Sequence, residues 1–460
     1  MHVDKNFISL LHALILFNSV QGFIFPSSYS SPSSIISSKQ KHLNIVLHST
    51  KDDDKSLVTT PTSKNSGVKS NKKGPTYWKE IDQAKKINKE LMSVNSAQEV
   101  LEIFIAKGGA KGVAGNNVFN SVNFSTLVHR LARFALDTDH SQRKNSSHVK
   151  GKAASNGPSN RSAVLLDPRT AILLASLSEA LVQPKSNSML TFNNRELANL
   201  AWAIAKLKIV PPVDILPLVR PNEHTSISDM EKDILITAKK VRTDVLNVAK
   251  ERGTLSSAEE RALVQNKWIP TLSQLSGKLL DIIAAQVLQI LDDFNSQELA
   301  NLLYAFSSAQ RADAHLFDLL ANTLVKRINA PGRGGQNQHE PKPQEYSNSV
   351  WSFASSGIRS EGQIKLVQTV ADKMDENDGA LVKHFKPQEL SNTAWGCATL
   401  LAKRGSEETK LNQAEDEAIV RIMRWVATSL EERVEMFKPQ EGKCTFLSLS
   451  RYNAFRLEYT

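Results

Sequence analysis

An all-α fold, an α-solenoid of stacked helical hairpins, is predicted for this 460-residue chain by three observations. The passage FKPQELSNTAWGCATL (385–400) has close copies earlier, FNNRELANLAWAIAKL and FNSQELANLLYAFSSA. Copies begin at Phe192, Phe294, Pro341, Phe385 and Phe437, separated by 102, 47, 44 and 52 residues, the first gap being about two periods. Each is followed by a second amphipathic stretch, and units that recur in this way stack on their neighbours instead of closing one compact core.

The first 74 residues read as addressing. Lys5 precedes the apolar run FISLLHALILF, of signal-peptide length and too short to span a bilayer, and Val20 and Gly22 supply small residues for cleavage of a signal peptide at 1–22. Residues 23–74 continue Ser-rich with no acid until Asp52, like a plastid transit peptide. The two-part presequence predicts the plastid stroma, with the mitochondrial matrix as the alternative and simple secretion as a third reading. Much of the formal charge of +10 lies outside the folded body: residues 1–74 hold nine Lys against four Asp. Bulk charge therefore proves no nucleic-acid partner. Two cysteines build neither a disulfide framework nor a metal site, no apolar run reaches membrane-spanning length, and neither metal nor cofactor is expected.

Residues 75–118 are expected to form a helical cap around YWKEIDQAKKINKELMSVNSAQEVLEIFI (77–105). The solenoid follows over 119–441. Its opening helix is a degenerate copy, FNSVNFSTLVHRLARFA (119–135), paired with DPRTAILLASLSEAL (167–181) across a low-complexity loop at 137–162. In the next unit Phe192 precedes an Asn193 cap with Glu196 at the third helical position and Leu197 after it, a capping box with a hydrophobic staple; Phe294, Asn295, Glu298 and Leu299 repeat it. Phe385, Lys386, Pro387, Glu389 and Leu390 keep the pattern with Pro at the first helical position. Second helices are read at 271–291, 313–328, 361–374 and 415–433, and 210–270 as an insertion carrying its own charged helix near 227–251. At 442–460 Gly442 replaces the anchor Leu and the period dissolves, which suggests a truncated or mis-spliced end.

Counting from each anchor Leu, positions 0, 3, 4 and 7 are apolar, and positions 1, 5 and 8 add a second apolar stripe that holds Trp202, Tyr304, Trp351 and Trp395. Together they cover roughly 220° of the helix, so the helix packs on more than one side and these aromatics read as core. Positions 2, 6 and 9 are small or polar, with Asn199, Asn301, Asn348 and Asn392 at position 2 and Lys206 at position 9. Asn is a mediocre helix former, so its return needs a reason. It is either a ladder of amides bridging repeats or a concave surface where Asn reads a nucleic-acid strand. Near the end of each first helix stand Lys208, Arg311, Arg359, and Lys403 with Arg404; they read as a rim that tracks phosphates or as cations on helix C-termini.

With cap, Asn and Trp at fixed offsets, these repeats resemble the octotricopeptide class of organelle RNA-binding proteins and the related FAST-kinase-like, RAP-associated proteins, over most of 77–441. The resemblance implies a solenoid that binds single-stranded organelle RNA, alongside organelle RNA-processing proteins, and acts in processing, stability, editing or translation. No RAP domain is recognisable, and the chain has no glycine-rich loop, catalytic Lys or HRD-like Asp, so no catalytic residue is carried over and no enzyme is expected. GRGG (332–335) reads as a flexible linker. A protein-binding scaffold without RNA contact is the other reading the repeats allow.

Overall fold

The computed structural model describes residues 75–109, 118–145, 160–182, 190–209, 227–251, 257–330, 341–403 and 410–459. The presequence, the GRGG linker and Arg404 lie outside them. The described residues carry fifteen α-helices and no strand, and Lys79–Thr460 form one compact unit. The α-solenoid is as predicted.

The cap is two helices, α1 (Pro75–Ser93) and α2 (Ala97–Ala106), separated where Ser96 accepts from the Glu99 backbone N–H and Glu99 Oε2 accepts from Asn95 N at 3.1 Å. Then come α3 (Ser121–Asn145), a short α4 (Asn160–Leu166), α5 (Pro168–Val182), α6 (Asn194–Leu207), α7 (Ile227–Glu251) and α8 (Ser257–Gln289). The hairpins continue as α9 (Ser296–Ser308), α10 (Ala314–Asn329), α11 (Pro343–Ser356), α12 (Glu361–Asp375), α13 (Pro387–Ala402), α14 (Lys410–Arg433) and α15 (Pro439–Tyr459).

Two layers result. In the first, α3, α6, α9, α11, α13 and α15 pack each on the next; in the second, α5, α7 and α8 pack in sequence, as do α10, α12 and α14. A first-layer helix therefore touches a neighbour on each side and the second layer below, which is why its apolar arc is so wide. Small residues let the helices approach closely: a Cβ on Gly396 would stand 2.8 Å from Val350 Cγ1. The cap chemistry is present as read. Asn193 and Asn295 each complete a box, with Glu196 N to Asn193 Oδ1 and Glu298 N to Asn295 Oδ1 both at 3.0 Å. Lys386 and Lys438 keep the half a lysine permits, their backbone N–H donating to Glu389 and Glu441 at 2.8 and 3.0 Å.

Four expectations change. Helix α3 runs on to Asn145 through what reads as loop, since no Gly or Pro stops it before Gly151. The helix read inside the 210–270 insertion, α7, lies between α5 and α8 as a second-layer member, burying Ile234, Ala238, Val241 and Val245. Helix α8 begins at Ser257 and passes through Pro270, which is exposed. The C-terminal segment keeps its helix and packs on α13; Thr445 and Ser448 hydroxyls donate to the Glu441 and Cys444 carbonyls at 2.8 Å.

The recurring cap glutamates show which of two opposing effects wins. Lying at a helix N-terminus should lower a carboxyl pKa, yet Glu196, Glu298, Glu345 and Glu389 are all raised, because burial between repeats outweighs the backbone N–H each one accepts. Glu345, 8% exposed, is pushed up to about 7. An acid whose folded pKa lies above its unfolded value weakens the fold when ionised, so its penalty is present above pH 7 and fades as pH falls towards the ordinary carboxylate range. Glu345→Gln keeps an acceptor for the cap and removes the charge. It should raise stability by about 1 kcal/mol at pH 8, and the gap to wild type should close by pH 5, as measured by Tm at each pH.

Candidate nucleic-acid interface

The tryptophans of the repeats stand at the border of the core, not wholly inside it. Position 5 of successive first-layer helices forms one ladder along the edge of that layer. His129 of α3 lies 4.9 Å from Trp202 of α6, Tyr304 of α9 lies 5.2 Å from Trp351 of α11, and Trp351 lies 6.1 Å from Trp395 of α13, all between ring centroids and tilted by 31 to 35°. Between Trp202 and Tyr304 the rung is completed by Lys206, whose Nζ is 5.8 Å from the Trp202 centroid, 4.5 Å from that of Tyr304, and donates to the Tyr304 hydroxyl at 2.6 Å. Tyr304 is buried, but Trp202, Trp351 and Trp395 are half-buried. Each aromatic contact contributes about 0.5–1.5 kcal/mol to docking of adjacent repeats.

The ladder offers unused donors. Trp425, by contrast, donates its indole N–H to Asp375 at 2.6 Å. Among the described residues the indole N–H groups of Trp202, Trp351 and Trp395 find no partner, and neither do the side-chain amides of Asn199, Asn301, Asn348 and Asn392. Asn199 and Asn301 are half-buried, and Asn348 and Asn392 are 3 and 4% exposed. The amide ladder expected to bridge repeats is replaced by serine. Ser307 Oγ donates to Ser352 O at 2.9 Å, Ser347 Oγ to Glu389 O at 2.9 Å, and Ser391 Oγ to Glu441 O at 3.3 Å. A hydroxyl on a short stem reaches the neighbouring backbone from positions 1 and 8, where the helices touch. The Asn at position 2 lies beside the aromatic edge.

The row of recurring cations does not form a rim. Arg311 is buried and paired with Asp281 of α8. Arg359 pairs with the buried Glu415 and donates to Leu400 O at 3.3 Å. Lys403 is exposed at its stem but its Nζ donates to Ala354 O at 2.8 Å, and burial lowers its pKa. Each ties one repeat to the next. These residues look exposed in the sequence because their acceptors lie 30 to 56 residues away. Lys208 alone among the described members is an exposed cation in the left-handed conformation, φ 50°, at the end of α6.

Positive charge gathers at one end of the ladder. Burial, and then Arg133, Arg130 and Arg195, hold His129 down to about 4, so its imidazole is neutral at physiological pH; Arg133 and Arg195 are exposed. Lys208 is lowered by burial, by Arg161 and by Lys206. Further along, α9, α11 and α13 present Gln297, Asn301, Ser308, Gln344, Ser355 and Thr399, all neutral. Sequence reading missed Arg133, Arg195 and Arg161; Arg133, nine places after the anchor Phe124, matches Lys206 in register and was the available signal. No helix among the described residues is long and apolar enough to cross a membrane, and none of them group as three metal-ligating side chains. Neither a family model nor a curated protein sequence matches the chain.

Proposed function

We propose that the chain is a single-stranded RNA-binding solenoid that takes the strand along the aromatic edge of its first layer. The observation that carries this reading is the row of half-buried, unpartnered indole N–H groups of Trp202, Trp351 and Trp395, joined by the half-buried amides of Asn199 and Asn301 and by a basic end. Amides and indoles meet base edges and sugar-phosphate oxygens; Arg and Lys supply the salt-dependent attraction. Adjacent rings are too close to admit a base between them, so bases lie against the ladder instead of intercalating. Its resemblance to the octotricopeptide and FAST-kinase-like families extends the reading to organelle transcripts, in their processing, stability, editing or translation, in the plastid stroma or alternatively the mitochondrial matrix. Organelle RNA-processing proteins would be its partners. The chain acts by holding RNA, and the reading assigns it no reaction.

Ultraviolet crosslinking of the tagged protein in intact organelles tests this. Discrete footprints on a few transcripts are expected, with binding of the purified chain to such RNA tighter than about 1 µM at physiological salt, the tight limit of non-specific affinity. Recovery of a stoichiometric protein partner with no RNA above background would replace the reading with the protein-binding scaffold.

A further inference from the structure

The C-terminal end of α6 holds more positive charge than the described residues around it balance. Lys206 is 6% exposed, yet its ammonium meets a phenol oxygen and two ring faces, with no carboxylate among the described residues. Buried lysines are ordinarily paired. Lys208 stands next to it, and the groups acting on Lys208 are Arg161, Tyr304 and Lys206, with no acid among them. Arg161, half-buried, has its Nε buried without an acceptor. The negative end of α6 offsets roughly half a charge, which leaves a clear positive excess. On α3, whose His129 lies against Trp202, Arg133 adds a further exposed guanidinium.

Resting on the RNA reading above, we infer that Arg161, Lys206 and Lys208 form an anion site for the terminal phosphomonoester of the bound strand. An internal phosphodiester carries one charge and recurs at every nucleotide, so a protein that gripped the backbone evenly would spread its cations evenly. Here the positions of α9, α11 and α13 that match Lys206 and Lys208 are uncharged, Ser308 and Gln310, Ser355 and Gly357, Thr399 and Leu401, and the exposed lysines Lys342, Lys386 and Lys403 stand at other positions, at the ends of α11 and α13. Concentrated charge matches a concentrated anion, the dianionic phosphate at a strand end. The buried Arg161 Nε and the Lys206 ammonium, half enclosed by Trp202 and Tyr304, supply fixed donors, and Lys208 closes the site from the solvent side. The strand would then have a fixed polarity on the ladder, its end seated at α6 and its body running towards α13.

The test compares three RNA oligonucleotides of one footprint sequence binding to the full chain: hydroxyl at both ends, phosphate at the 5′ end, and phosphate at the 3′ end. One phosphorylated form should bind about tenfold more tightly than the hydroxyl form, the scale of one or two charge-assisted hydrogen bonds. Lys208→Gly, which suits the positive φ, combined with Arg161→Gln should abolish that preference, so that both phosphorylated forms bind no more tightly than the hydroxyl form. Arg424→Gln with Lys365→Gln, an equal loss of two charges at exposed positions of the second layer, should retain the preference. Equal affinity for all three oligonucleotides, or a preference that survives the double substitution, overturns the phosphate site while the RNA reading stands. Failure of all three to bind overturns both.

Discussion

Arg311→Ala is expected to lower stability by about 3–5 kcal/mol at pH 7.5, because it strands a buried carboxylate. The side chain is placed by the backbone before it is held by its partner. Helix α9 ends in a Schellman turn, with Gln310 at φ 55°, Gln310 N donating to Ser307 O at 3.0 Å and Arg311 N to Phe306 O at 2.8 Å. That turn directs Arg311 into α8, where its guanidinium lies against Gly277 and pairs with Asp281. Burial pushes Asp281 up to about 6 even with Arg311 attracting it. Without Arg311 the carboxyl rises further and takes up a proton, so the loss should shrink when the pH is lowered to 5.5. Asp281→Ala leaves instead a buried guanidinium that cannot deprotonate, and its loss should persist across that range. The double substitution Arg311→Met with Asp281→Leu removes both charges and should recover most of the stability. Denaturant melts at the two pH values separate these outcomes. A fall of less than about 1 kcal/mol for Arg311→Ala would show the pair to be solvated.

The contrast between Arg311 and the cap glutamates explains what was legible. Asn193, Glu196, Asn295 and Glu298 act within one turn of each other, so a pattern four residues wide contains the whole interaction. Arg311 and Arg359 find their partners in other helices, and by composition alone a charged residue after a helix reads as exposed. The same limit hid the place of α7. Its apolar face was readable, but that face meets α5 on one side and α8 on the other, and no local spacing encodes which helices stand there. The aromatics failed differently. Position 5 was correctly placed inside an apolar arc, but the arc's border with solvent falls through the rings themselves, and a period of 3.6 residues does not resolve half a side chain.

That border decides the largest functional effect. If RNA lies against the ladder, Trp351→Leu with Trp395→Leu should weaken binding by about a hundredfold, since the pair loses two donors and most of its apolar edge. Trp351→Phe with Trp395→Phe keeps the stacked rings and removes only the N–H groups, so about tenfold should be lost. The two pairs distinguish a binding surface from a merely structural one. Were the ladder there only to dock repeats, the Phe pair would leave affinity unchanged and the Leu pair would lower Tm without altering the affinity of the folded fraction. Trp425→Phe is the control: its N–H is already committed to Asp375, and its ring covers Gly379, where an added Cβ would stand 2.4 Å from the ring carbons. It should cost stability alone. RNA affinity that falls in the order wild type, Phe pair, Leu pair, with Trp425→Phe unchanged, would make the outer edge of the first layer the contact surface; affinity indifferent to all three would move the strand off the ladder.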